Sequence, residues 1–251
     1  MIPKIVHYCW LSNDQLPKQF QAHLDGWKRM LPDWTFMKWD FNTFDVNEYK
    51  CGVWVKEAFS VKRYAWASDP IRLNALYKYG GLYMDLDVEM RKPFSKELME
   101  SDYVLGYEYS GTIEAGVMAS APGLTWLRDC IAYYDNRHFF NEDKTHNIWP
   151  LPNIICKQLS DNGIKQVDRK SLNAVLFNGK ELYILPPIYL SAKKGFDVLA
   201  TDETFTIHHF AASSAKLSYI LKKKLIKFIG LELTNFIISV KTFFRNIVYR
   251  Q

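Results

Sequence analysis

The chain has 251 residues, 48% hydrophobic and 24% charged, with a formal net charge of +5, enough for one substantial globular domain with a small appendage. That composition excludes a disordered, fibrous or collagen-like chain. Aromatic residues make up 16%, a high share that serves mainly as core and otherwise as stacking platforms for sugars and bases.

The opening "MIPKIVHYCW" runs straight into an apolar strand, without the basic and apolar regions of a secretory signal peptide. Cys9, Cys51, Cys130 and Cys156 form no CxxC and no metal-ligand spacing, which fits a reduced, intracellular protein. After strand 1, "LPKQFQAHLDGWKRMLPDW" reads as a helix ending before Pro32 and "TFMKWD" as strand 2, a β-α-β opening.

"FSVKRYAWASDPIRLNALYKYGG" contains a helix with Ser68 or Asp69 as N-cap, Pro70 at the first helical position and Gly80 just past its end. The strand "LYMDLDVEM" follows at once. "DYVLGYEY", "GVMAS", "LYILPP" and "TFTIHHF" read as further strands, with "GLTWLRDCIAYYDN" and "WPLPNIICKQLSDN" as helices between them. Alternating strands and helices predict an α/β fold, a mostly parallel central sheet flanked by helices, whose ligands bind beyond the carboxyl ends of the strands.

Residues 216–251 hold eight Lys or Arg and one Glu, a net +7, which leaves about −2 for residues 1–215. On a helical wheel Lys216, Lys223, Lys227, Lys241 and Arg245 share an arc opposite Leu221, Leu225, Phe228 and Phe236, although Glu232 falls on the apolar side. The segment reads as a basic amphipathic helix, or two joined near Gly230, suited to an anionic membrane surface. An ordinary helix capping the domain is the plainer reading. Nucleic acid is not expected, because aliphatic residues separate the cations where stacking aromatics would be needed. No uncharged run reaches the roughly 18 to 20 residues of a membrane span. The predicted organisation is one α/β domain over 1–215 and a helical tail over 216–251.

In "LYMDLDVE" the alternation sets Leu82, Met84, Leu86 and Val88 on one face and Tyr83, Asp85, Asp87 and Glu89 on the other. Carboxylates so arranged repel one another, and a divalent cation with oxygen ligands at about 2 to 2.6 Å would remove the repulsion while leaving positions open for a diphosphate. A solvated acidic edge strand is the plain alternative, and a lone D-x-D is a weak motif. Asp69 and Arg72, three apart at a helix start, share a face that can approach Asp85 and Asp87. Arg72 there suits either a metal-bound diphosphate or a structural ion pair with Asp69.

Taken together, "IPKIVHYCW", "WASDPIRLNALYKYGGLYMDLDV" and "IHHFAASS" resemble family 32 of the glycosyltransferases, DXD-containing sugar transferases. That family includes capsule and lipopolysaccharide enzymes, fungal mannosyltransferases and, more distantly, the catalytic domains of the large clostridial toxins. The resemblance covers roughly residues 1–215 and is most specific at Ser68, Asp69, Arg72, Tyr77, Gly80, Gly81, Tyr83, Asp85 and Asp87. It implies a GT-A fold, a nucleotide-sugar donor, Mn²⁺ or Mg²⁺ at the D-x-D, and transfer with retention. By the same resemblance Trp10 stacks on the nucleobase, with His7 and Tyr8 lining the same pocket; the plainer readings are core for Trp10 and Tyr83 and a buried hydrogen-bonded histidine for His7. Asp69 and Arg72 contact the donor sugar, and Tyr83 packs beside the nucleotide. Asp87 is the direct metal ligand, and Asp85 binds ribose and sugar hydroxyls or metal through water. His208 or His209 completes the metal and diphosphate site. Ser213 or Ser214 contacts phosphate, although the aromatic that follows in many relatives is absent. "WPLPN" stands where relatives often have a "GP", so acceptor identity is not carried over.

Departure of a nucleoside diphosphate builds charge on the β-phosphate, which metal and cationic or hydroxyl groups stabilise, while the sugar becomes oxocarbenium-like and an acceptor hydroxyl attacks. No catalytic base is nominated. Glu114 in "TIEAGVMAS" is a candidate sugar contact or nucleophile, against a solvated loop acid. The reading is a UDP-sugar-dependent hexosyl or N-acetylhexosaminyl transferase acting on a lipid-linked capsule or lipopolysaccharide precursor, cytoplasmic and peripheral on the inner face of the cell membrane. Two alternatives are a non-catalytic membrane-surface binding module and a haloacid-dehalogenase-type phosphatase, whose nucleophile strand also has a D-x-D form. The phosphatase is disfavoured by Glu89 and by the position of the motif far from the start.

Overall fold

A computed structural model describes residues 1–12, 14–162, 175–177 and 180–211, with no side-chain description between 163 and 183. The chain divides into two compact units, Met1–His209 and Phe210–Gln251. Beyond Ala211 the second unit lies outside the described residues, and with it the predicted amphipathic tail and Ser213 and Ser214. No helix among the described residues is long and apolar enough to cross a membrane.

The opening forms as predicted: β1 (Ile5–Cys9), α1 (Lys18–Met30) and β2 (Thr35–Trp39). Next come α2 (Gly52–Ser60), α3 (Tyr64–Tyr79), β3 (Gly81–Met84), β4 (Val88–Met90), α4 (Lys96–Glu100), β5 (Tyr103–Gly106) and β6 (Val117–Ser120). The remainder is α5 (Thr125–Ala132), α6 (Leu151–Asp161), β7 (Val175–Phe177), β8 (Lys180–Leu185), α7 (Pro187–Leu190), β9 (Lys193–Lys194), β10 (Asp197–Val198) and β11 (Thr206–His208). The main sheet has the order β2-β1-β3-β6-β5-β8-β7. Strands β1, β2, β3, β5 and β8 run one way, and β6 and β7 run against them.

Two apolar layers cover the sheet, and strand alternation assigns residues to them. On one side Trp54, Ile71, Leu76, Tyr83, Met118, Leu127 and Ile154 join α2, α3, α5 and α6 to the sheet. Leu24, Trp27, Leu82, Met84, Val88 and Val117 form the other, under α1. Each fully buried Ile or Leu contributes about 1.5 to 3 kcal/mol of apolar transfer.

Helix α3 corrects the expected start at Ser68 or Asp69. It begins at Tyr64 and carries Pro70 inside it. An internal proline leaves the carbonyl four residues back without its helical donor. That carbonyl belongs to Trp66, and Trp54 Nε1 on α2 donates to it at 3.0 Å. The interruption is thus repaired from a neighbouring helix, a contact invisible to local pattern. The predicted end holds: Gly80 takes φ 63° and Gly81 φ 106°. A Cβ at 81 would lie 2.5 Å from Ile5 O, so two glycines let α3 turn directly into a strand packed on β1.

The acidic segment departs most from expectation. It is not one strand from 82 to 89. The main-sheet pairing of β3 ends at Met84, opposite Val117. A turn follows in which Val88 N–H donates to Asp85 O at 2.9 Å. The chain resumes as β4, which pairs antiparallel with β11 outside the main sheet. Strict alternation in the sequence imitates a continuous strand, while the pairing partners available at Met84 and Val88 impose two.

Candidate functional site

The turn lies beyond the carboxyl end of β3, beside the carboxyl end of parallel β1 and the start of antiparallel β6. Tertiary hydrogen bonds hold its backbone. Asp85 N–H donates to Gly116 O at 2.8 Å and His209 N–H to Asp87 O at 3.0 Å. His23 on α1 donates from Nδ1 to Leu86 O at 2.9 Å. Because the peptide groups are fixed, the two carboxylates project from a rigid base.

Asp85, Asp87 and His208 offer ligand atoms that all lie within 4.8 Å of one another. Pairing of β11 with β4 brings His208 opposite Val88, next to the turn. His208 Nε2 is 3.3 Å from Asp87 Oδ1, and Nδ1 is 2.9 Å from Glu114 Oε1. Burial opposes charge on His208, but Glu114 and Asp87 outweigh it and hold its pKa well above the ordinary value. Two carboxylates and an imidazole fit Mn²⁺ or Mg²⁺ in donor type, with the nitrogen favouring Mn²⁺.

Arg72 organises the opposite flank. Its guanidinium is 4% exposed, so its charge requires partners in the protein. Nη1 donates to Ala115 O at 2.8 Å and lies 3.3 Å from Asp85 Oδ2; Nη2 donates to Ser68 Oγ at 2.9 Å and lies 3.4 Å from Asp69 Oδ1. Its Cζ sits 4.6 Å from the centroid of Tyr83, whose hydroxyl donates to Asp85 Oδ1 at 2.8 Å. Burial raises the pKa of Asp85, against the pull of Arg72 and with the push of Asp87. Burial also lifts Asp69 to about 7, with Arg72 opposing and Asp85 adding.

The other predicted residues separate into two groups. Trp10 is partly exposed just past β1, its indole N–H donating to Asp14 O at 2.8 Å and its ring edge-on to Phe20. His7 and Tyr8 do not line a common pocket, because adjacent strand residues face opposite layers. Tyr8 packs edge-on against Trp27. His7 is fully buried; Trp39 Nε1 donates to its Nδ1 at 3.1 Å, so its Nε2–H donates to Gly80 O at 2.7 Å. Burial lowers its pKa, and both nitrogens serve the core.

Of the histidine pair, His208 joins the carboxylates. His209 turns away, with Nε2 3.1 Å from Glu89 Oε2 and its ring stacked on His23 at 5.4 Å. Glu114 is not a solvated loop acid: it is 0% exposed and bound to His208. The sequence reading missed the roles of His23 and of the Ala115 and Gly116 carbonyls. Backbone acceptors leave no residue-type signal, and His23 lies 63 positions from its partner.

Sheet order and helical layers define a GT-A-type α/β fold, with a group of two carboxylates and an imidazole at the strand ends. The solved PaToxG glycosyltransferase shares this fold, with a TM-score of 0.51 at 15% identity over 64% of this chain and 69% of that one. Residues 17–105 match the family described as "Glycosyltransferase sugar-binding region containing DXD motif". The match takes in Asp69, Arg72, Asp85 and Asp87; Glu114 and His208 lie beyond it. Two curated relatives from Schizosaccharomyces pombe are inositol phosphoceramide mannosyltransferases 1 and 3. Each is 29% identical, over 41% and 55% of this chain respectively. The aligned parts span only 34% and 40% of those relatives' own lengths.

Proposed function

We propose that this chain is a metal-dependent glycosyltransferase that takes a sugar from a nucleoside diphosphate donor and transfers it, with retention, to a glycan or glycolipid acceptor. The observation that carries this reading is the convergence of Asp85, Asp87 and His208 at the strand ends of a GT-A-type fold, with both aspartates inside the DXD-type match. When bound, the metal supplies positive charge against the developing charge of the diphosphate. Asp87 and His208 would hold it, with Asp85 as a further ligand or a donor-sugar contact. Arg72 contacts both Asp85 and Asp69, and the family resemblance makes Asp69 and Arg72 the contacts to the donor sugar. Partly exposed Trp10, beyond the end of β1, is the stacking surface assigned to the nucleobase.

A UDP-hexose or UDP-N-acetylhexosamine is the donor implied by the family resemblance. The two mannosyltransferase relatives favour mannose as a second candidate and a lipid headgroup as acceptor. Lipid-linked capsule or lipopolysaccharide precursors have the same general chemistry, an acceptor hydroxyl on a membrane-bound molecule. The basic segment of residues 216–251 supports attachment to an anionic inner leaflet through its charge. The test is release of nucleoside diphosphate from a panel of UDP-sugars and GDP-mannose, with Mn²⁺ and with chelator, for wild type and Asp87→Asn. Turnover of one donor that needs both metal and Asp87 is expected. No donor turnover in folded, metal-loaded protein would favour a binding module.

A further inference from the structure

Three consecutive residues ahead of β6 reach three different groups of the site. Glu114 Oε1 accepts from His208 Nδ1 at 2.9 Å, Ala115 O from Arg72 Nη1 at 2.8 Å, and Gly116 O from Asp85 N–H at 2.8 Å. Gly116 N–H closes the strap by donating to Glu114 Oε1 at 2.6 Å. The space is tight: a Cβ at 116 would stand 2.6 Å from His208 Cε1, 2.8 Å from Nδ1 and 2.9 Å from Glu114 Oε1. Only glycine lets the imidazole settle against the strap.

We infer that Glu114 is a positioning residue that fixes the tautomer and ring plane of His208, so that Nε2 is the nitrogen presented beside Asp87. In the neutral form of the ring that a metal would bind only one N–H remains, and an anionic acceptor against Nδ1 keeps the proton there, leaving the Nε2 lone pair for the metal. The backbone shares the work, since a shift of the strap would move His208, Arg72 and Asp85 together. This excludes Glu114 as nucleophile or sugar contact, because it has no exposed surface and its Oε1 already accepts two hydrogen bonds. The inference rests on the metal reading of Asp85, Asp87 and His208, and adds what aims the histidine.

The test uses Mn²⁺ alone, without nucleotide, on the full chain. Affinity is read from the free-ion electron paramagnetic resonance signal, and nitrogen ligation from electron spin-echo envelope modulation. Glu114→Gln should weaken Mn²⁺ binding about ten- to a hundred-fold, the range for partners of ligating histidines. It should also diminish the nitrogen modulation, which His208→Ala should abolish. The double variant Glu114→Gln/His208→Ala should bind no more weakly than His208→Ala alone, because the carboxylate acts through the imidazole. Gly116→Ala, which crowds the ring without removing a charge, should weaken binding in the same His208-dependent way. Unchanged affinity and modulation in Glu114→Gln, while Asp87→Asn loses the metal, would overturn the inference and leave the metal reading standing. An equal loss from Glu114→Gln with and without His208 would also overturn it. Wild type and Asp87→Asn binding Mn²⁺ alike would instead remove the metal reading, and the inference with it.

Discussion

Arg72 Nη1 lies 3.3 Å from Asp85 Oδ2, joining a buried guanidinium in the middle of α3 to a half-buried carboxylate in the turn beyond β3. The acidic turn therefore tolerates its carboxylates in part because a buried guanidinium neutralises one flank, independently of any metal.

Arg72→Met should destabilise the metal-free protein by about 3 to 5 kcal/mol, as expected when one member of a buried ionic group is removed. Arg72→Lys keeps the charge but cannot span Ser68, Asp69, Asp85 and the Ala115 carbonyl, so it should recover only part of the loss. Urea denaturation of the three proteins with chelator present measures both effects.

His7 should behave as a core residue. Removing it leaves Trp39 Nε1 and the Gly80 carbonyl without their partner, a cost of about 1 to 3 kcal/mol. His7→Ala should lower the thermal midpoint while nucleotide affinity at a permissive temperature stays within error of wild type. A selective loss of nucleotide binding without destabilisation would return His7 to the donor pocket.

Trp54 and Pro70 should be coupled. Trp54→Phe removes the indole donor from the Trp66 carbonyl that Pro70 leaves without its helical partner, and should cost about 1 to 3 kcal/mol. In a Pro70→Ala background the restored N–H supplies that donor, so the same change should cost less. A double-mutant cycle in denaturant gives the coupling directly.

Asp69 sets a pH dependence. Its folded pKa is raised from 3.8 to about 7, first by burial, so between those values the folded state retains a proton that the unfolded chain has released. Stability must then fall as pH rises through that window, by up to about 1.4 kcal/mol per pH unit for one proton, and level off above it. Asp85, also raised by burial, acts in the same direction. His208 does too, its stabilisation being lost as pH climbs through a folded pKa well above 6.5. The difference between Asp69→Asn and wild type isolates the Asp69 part: the variant should gain relative stability from about pH 4 to pH 7 in metal-free buffer.

Much of this was legible in the chain because local signals carried it. The β-α-β opening, the Gly80-Gly81 stop and the acidic pair each have short-range signatures, and the family resemblance added His208 or His209 from near the end of the described fold. Tertiary geometry decided the rest. Alternation in "LYMDLDVE" was genuine, but the end of β3's pairing at Met84 turned it into strand, turn and strand. Pro70 read as a helix start because repair of the Trp66 carbonyl comes from another helix. Glu114 and His208 are 94 positions apart, and only the return of β11 to β4 chooses between the two histidines.

The central claim is that Asp85, Asp87 and His208 form a metal-dependent nucleotide site. Calorimetric titration of UDP and GDP into wild type and Asp87→Asn, with and without Mn²⁺, tests it most directly. The account predicts that one nucleotide binds wild type only when Mn²⁺ is present, and that Asp87→Asn loses this binding while keeping its fold. Nucleotide binding that is indifferent to both Mn²⁺ and Asp87, or absent from the folded wild type, would contradict it.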